Sequence, residues 1–171
     1  VSQSAASIPT KMRMTVRELI SLGTLSTIDL FSFRQRKNDE SVERALELVG
    51  LADLAEMDIA RLSGGQRQRA VIGRALASNA ELLIFDEPLV NVDRSSRNGI
   101  LKLLDDLCHN ENKTLLMVSH DLTAIRQSAH RVIYLDGQIQ YDGKPSEIPD
   151  LSGLAGLVGL QHVHSHSHKE E

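Results

Sequence analysis

Leu62-Ser63-Gly64-Gly65-Gln66, followed one helix-length later by Leu82-Leu83-Ile84-Phe85-Asp86-Glu87-Pro88, is the part of the sequence whose reading decides the fold. Ser63 with Gln66 three positions on fits a capping box, so a helix is predicted to open here. Gly64 and Gly65 leave its first amides uncrowded, and a helix N-terminus attracts anions such as phosphate. The apolar run has strand length and no helical period, so it reads as a buried parallel strand. Its C-terminal end would present Asp86 and Glu87 to a crevice.

Outward from that stretch the pattern alternates. Upstream, residues 4–14 are rich in Ser, Thr, Pro and Met and read as a loop. Thr15 and Glu18 form a second capping box before an apolar stripe ending at Gly23. Arg34 to Glu40 is a charged run and reads as a solvated loop, with a helix following over Ser41 to Leu48 and stopping at Gly50. Leu51 to Ile59 is short-helical or irregular. The helix after Gln66 is expected to reach about Ala77, carrying Arg67, Arg69 and Arg74, which are solvated, paired or anion-binding. Downstream, a helix is predicted over Arg94–His109, with Gly99 as an interior cost of about 1 kcal/mol relative to Ala. Lys113–Ser119 reads as a second buried strand, Asp121–Ala129 as a helix, Arg131–Leu135 as a third strand, and Asp136-Gly137 as a hairpin turn into Gln138–Tyr141. Strand alternating with helix predicts an α/β doubly wound core.

Composition excludes several classes. With 171 residues the chain can form one domain with a sizeable core, and its net charge of −4 is the wrong sign for a nucleic-acid binder. The single Cys108 rules out an internal disulfide framework and fits a reducing compartment. There is no run of about 18 apolar residues and no signal-peptide pattern, so any membrane association is expected to come through a partner.

Four motifs in order resemble the ATPase subunits of ABC transporters: Leu62-Ser63-Gly64-Gly65-Gln66 as the signature, Leu82 to Pro88 as the Walker B strand, Asn91-Val92-Asp93 as the D-loop, and Val118-Ser119-His120-Asp121 as the switch-histidine region. The resemblance implies a partial ATPase domain of the P-loop NTPase type over residues 1–160. It would comprise a helical signature subdomain at about 4–74 and an α/β core part at about 75–145, with a histidine-rich tail at 161–171. It further implies ATP and Mg²⁺ as ligands. Gln3 would be the Q-loop glutamine near metal and water, Asp86 would hold Mg²⁺, Glu87 would be the general base, and His120 would contact the γ-phosphate. Ser63, Gly64, Gly65 and Gln66 would meet nucleotide held by the opposite subunit of a head-to-tail dimer, and Asp93 would sit at its seam. The implied partners are permease subunits, a second ATPase subunit and, indirectly, an extracytoplasmic solute-binding protein. The implied location is the cytoplasmic face of the membrane.

The sequence departs from the family at two places. Leu89 stands where small or hydroxyl residues are common, so coupling across the dimer is expected to differ there. No G-x-x-x-x-G-K-[ST] phosphate loop is present. Gly137 to Gly143-Lys144-Pro145 has the wrong spacing and a proline in the hydroxyl position, and reads as a turn. In the family that loop precedes the Q-loop glutamine. The expectation is therefore an N-terminally incomplete version of an ordinary subunit, with a naturally truncated, non-catalytic or regulatory relative as the alternative.

His162, His164, His166 and His168 alternate, and in an extended chain they fall on one side about 6.6 to 7 Å apart, within reach of a zinc ion if the segment bends. That tail, with the resemblance of Thr15-Val16-Arg17-Glu18-Leu19 to metal-ion and iron-chelate importers, points to zinc or manganese as cargo and to an iron chelate as the alternative. A DNA-repair or chromosome-organising ABC protein fits less well. Such proteins usually separate the start of the ATPase from the signature by long coiled coils or inserted domains, whereas about sixty residues precede Leu62 here and the net charge is −4.

Overall fold

A computed structural model describes residues 13–25 and 35–148, with side chains in the second stretch from Asp39 onward. The chain divides into two compact units, one running to His120 and one starting at Asp121.

The first unit begins with α1, Val16–Ser21, opened by the expected capping box: Thr15 accepts from the Glu18 amide and Glu18 accepts from the Thr15 amide. The Val16 and Arg17 amides donate to the Met57 and Ala55 carbonyls at 3.0 and 2.9 Å, which docks the start of α1 on the segment ahead of the Ser63 loop. Next come α2, Gln35–Leu48, and α3, Gly64–Ala77. Leu19 and Ile20 of α1, Ala45 and Leu46 of α2, and Ala70 and Ile72 of α3 are buried at helical spacing and form the core of this three-helix cluster. Gly23 follows α1 where a Cβ would lie 1.8 Å from the Arg74 carbonyl oxygen, so only glycine lets the chain pass α3 there.

Strand β1, Leu82–Asp86, then pairs in parallel with β2, Thr114–Val118, in register from Leu82 opposite Thr114 to Asp86 opposite Val118. The crossover between them is α4, Arg94–Asn110, which buries Ile100, Leu103, Leu104 and Leu107. Asp93 caps α4 by accepting from the Ser95 and Ser96 amides, both at 3.0 Å, and from the Ser95 hydroxyl at 2.6 Å. Hydrogen bonds from Ser95 and then Ser96 hold the Asp93 carboxyl well below the usual carboxylate range.

In the second unit Asp121 caps α5, Leu122–Ser128. Strands β3, Val132–Asp136, and β4, Gln138–Gly143, form an antiparallel hairpin that turns at Gly137, with φ +67°. Arg131 grips both oxygens of Asp142 at 2.8 and 2.7 Å across this pair. Residues 137–145 form strand and turn, as expected. No described helix is long and apolar enough to cross a membrane.

Two expectations need correction. The charged run after Arg34 is helical from Gln35: it contains good helix formers and no Gly or Pro, so charge alone did not make it a loop. The β1 strand is parallel, yet Leu82 and Ile84 are 51% and 50% exposed while Leu83 and Phe85 are buried. The β2 strand is likewise exposed at Leu116 and Val118, so among the described residues this sheet is covered on one face rather than both. The third strand pairs with β4 in the hairpin the sequence predicts.

Leu46, fully buried between helices, should cost about 2–5 kcal/mol when replaced by Ala. Leu25→Ala, at a position 73% exposed, should stay within about 0.5 kcal/mol in the same urea titration. Asp93 contributes stability above its unfolded pKa, and that contribution fades as pH falls toward its depressed folded value. Asn keeps the cap without the titration. The thermal-midpoint gap between wild type and Asp93→Asn should therefore shrink between about pH 5 and pH 2, and a pH-independent gap would contradict the assignment.

Candidate functional site

The parallel register ends β1 at Asp86, exposed at the C-terminal edge of the sheet, and the chain then turns sharply. Glu87 makes that turn with φ +49°, in the left-handed region that costs a non-glycine residue about 1 kcal/mol or more. Two sets of bonds hold it there. Its amide donates to the Val118 carbonyl at the end of β2 at 2.9 Å. Its Oε1 accepts the His120 amide at 3.1 Å and meets His120 Nδ1 at 2.6 Å. Because a carboxylate only accepts, Nδ1 carries the proton in this contact, and Nε2 is the other nitrogen of the ring. The Glu87 side chain is 15% exposed and that of His120 80% exposed, so the carboxylate is sheltered and the imidazole faces solvent. Backbone strain kept in place by several bonds is a mark of functional positions.

A second cluster forms where α3 meets the N-terminus of α4. Ser63 Oγ accepts the Gln66 amide at 3.2 Å, and Gln66 Oε1 accepts the Ser63 amide at 3.0 Å. That reciprocal cap leaves Gly64 and Gly65 as the first-turn positions whose amides have no intrahelical acceptor. A Cβ on Gly65 would lie 2.4 Å from Ser96 Cβ and 2.3 Å from its Oγ, so α3 approaches α4 more closely than any side chain at position 65 allows. A Cβ on Gly64 would be 3.3 Å from the Asn91 carbonyl oxygen. The Ser63 loop and the Asn91–Ser96 segment, with Asp93 as its cap, thus lie side by side.

The structure accordingly sorts the expected residues into two groups: Asp86, Glu87 and His120 at the sheet edge, and Ser63, Gly64, Gly65, Gln66 and Asp93 at the α3–α4 junction. Among the described residues no hydrogen bond or ion pair joins the groups. Gln3 and the tail histidines His162, His164, His166 and His168 lie outside the described residues. Leu89 is buried, so it acts first as a core residue of its own chain. Among the described residues Arg69 Nη1 donates to the Val49 carbonyl at 3.4 Å. The Val118 carbonyl and Ser96 were missed by reading the sequence, and Arg69 was read only as a charge. The last two left a trace in helical spacing, four residues from Gly65 to Arg69 and three from Ser96 to Gly99.

The comparisons with known proteins agree with one another. A zinc uptake system ATP-binding protein, ZurA, of Listeria monocytogenes is 38% identical over 147 residues, covering 86% of this chain and 57% of the relative. The ferric enterobactin transport ATP-binding protein FepC of Escherichia coli is 34% identical over 149 residues, covering 86% of this chain and 55% of that protein. The chain thus spans little more than half the length of these relatives. A solved structure described as an inward-facing conformation of a metal-chelate type ABC transporter superposes with a TM-score of 0.80 at 26% identity, over 90% of this chain and 62% of the other. The ATP-binding cassette MJ1267 in its ADP conformation shares the fold, with a TM-score of 0.72 at 23% identity over 94% of this chain and 65% of the other. The family model described as ABC transporter matches residues 2–90, more than half of the sequence, and the chain belongs to that family.

Proposed function

We propose that this chain supplies catalytic and partner-facing elements of the ATP-hydrolysing, energy-coupling subunit of an ABC importer. The observation that carries the reading is the Glu87–His120 pair, a sheltered carboxylate fixed by a strained backbone and a bidentate grip on one of its oxygens. Both His120 contacts fall on Oε1, which leaves Oε2 to take the proton of a water attacking the γ-phosphorus. The bond to the β–γ bridging oxygen breaks, ADP leaves with that oxygen, and inorganic phosphate forms. With Nδ1 committed to Glu87, the imidazole is oriented to present Nε2 to the γ-phosphate.

Asp86 is a hard oxygen donor exposed beside Glu87, a donor type that suits Mg²⁺. Bound there with ATP, Mg²⁺ would neutralise charge developing on the phosphates. Gln3 would reach the same region. Ser63, Gly64, Gly65 and Gln66 form the positive end of α3 and, in this reading, stabilise the γ-phosphate held by a second ATPase subunit, with Asp93 at the seam. The placement of the two clusters on different elements, the sheet edge and the ends of α3 and α4, supports that division of labour. Permease subunits, and through them a solute-binding protein, complete the assembly at the cytoplasmic face of the membrane.

For cargo we favour a metal ion, zinc or manganese. The support is the relatives named for zinc uptake together with His162, His164, His166 and His168. An iron chelate is the second reading, favoured by the relative named for ferric enterobactin. Uptake of radioactive zinc by cells lacking the gene separates them: loss of zinc uptake with ferric-chelate uptake intact is the expected result, and the converse overturns the metal-ion reading.

In protein made from the complete reading frame and assembled with its permease, Glu87→Gln should lower the ATPase kcat by about 100-fold or more. ATP binding should persist. A variant retaining activity within about twofold of wild type would remove Glu87 as the base, since general-base catalysis is worth far more than that.

A further inference from the structure

Arg69 lies one turn after Gly65 on the same face of α3, and its guanidinium fills a notch between two glycines. A Cβ on Gly99, in the interior of α4, would come within 2.6 Å of Arg69 Nη2, and one on Gly50, just past α2, within 3.4 Å of Nη1. From that notch Nη1 donates to the Val49 carbonyl at 3.4 Å, one of the acceptors left over at the C-terminal end of α2, where positive charge is also favoured. The same face of α3 therefore makes two consecutive contacts with α4, Gly65 on Ser96 and Arg69 on Gly99. Glycine in the middle of α4, unfavourable for the isolated helix, makes room for the arginine.

We propose that Arg69 is a positioning residue: seated between Gly50 and Gly99, it locks the N-terminus of α3 in register with the N-terminus of α4. The Gly64 and Gly65 amides and the Asn91–Asp93 segment then meet the second subunit as one rigid surface. The functional half of this inference rests on the proposed reading of the Ser63 loop as part of the ATPase. The seating itself does not. Nothing in it depends on Arg69 touching nucleotide. One nitrogen of its planar fork reaches the Val49 carbonyl while the other occupies the space a side chain at Gly99 would need, which the single ammonium of lysine cannot reproduce.

The test uses protein from the complete reading frame and three variants. Arg69→Met keeps the apolar stem and removes the donors; Arg69→Lys keeps the charge without the fork. Gly99→Ala leaves Arg69 in place and puts a methyl where Nη2 sits. Amide exchange over residues 63–68 and ATPase kcat and KM are read together. The expected result is faster exchange there in all variants, and a kcat lowered about fivefold by Arg69→Met and by Gly99→Ala, with the double variant no worse than the worse single. Arg69→Lys should fall between, and KM for ATP should stay within about twofold, because the register acts on the arrangement of subunits rather than on nucleotide affinity. Unchanged exchange, multiplying effects, or a lower melting temperature with wild-type kcat would overturn the proposal. If wild-type protein lacks ATPase activity, the proposed function fails and the exchange data alone decide the seating. If Arg69→Met does not fold, Gly99→Ala and Arg69→Lys carry the same comparison.

Discussion

The parallel pairing of β1 with β2 is the constraint on which the candidate site depends. It sets Asp86 opposite Val118, and one residue later the Glu87 amide closes on the Val118 carbonyl. That bond fixes a left-handed backbone at Glu87 and turns its carboxylate toward His120, two residues past the end of β2. A slip of one residue would exchange the faces of the strand and carry Glu87 away from His120. The site is thus made of residues 33 apart in sequence, joined only because a helix of the right length returns the chain beside itself.

The second constraint is the closeness of α3 to its neighbours. Gly65 brings its backbone against Ser96, and Arg69 bridges the end of α2 to the middle of α4. Arg44 of α2 also pairs with Glu111 just past α4, so the helical cluster and the crossover helix are joined at more than one place. Exposed ion pairs of this kind add little stability individually, so the register rests mainly on the close packing of backbone and guanidinium. Between α3 and the sheet edge runs Pro88 to Asp93, with Leu89 buried and Asn91 at φ +60°. This short segment leads from Glu87 at the sheet edge to the Asp93 cap of α4.

Much of the fold was legible because its signals are local. Both capping boxes, at Thr15/Glu18 and Ser63/Gln66, require only a hydroxyl and a reaching side chain three residues apart, and both formed as read. The start of a helix at Asp121 and the Gly137 turn were equally local. What covers a strand is not a local property: Leu82-Leu83-Ile84-Phe85 reads as apolar on both faces, whereas only Leu83 and Phe85 are covered among the described residues. The start of α2 was hidden because a charged run suits both a solvated loop and a solvated helix. In the site, the residue types at Asp86, Glu87 and His120 were legible, but the strained turn and the shared Oε1 arise from strand register. Arg69 was noticed as a charge, and its partner proved to be a carbonyl framed by two glycines, which no charge pattern announces.

The most direct measurement is a structure of the protein from its complete reading frame, carrying Glu87→Gln to stall turnover, with ATP and Mg²⁺ bound. The expected result is a γ-phosphate within hydrogen-bond distance of His120 Nε2 from one copy and of Ser63 Oγ or the Gly64 and Gly65 amides from the other. A triphosphate bound away from both groups, or contacting both groups of a single copy, would contradict the division of the site between two subunits.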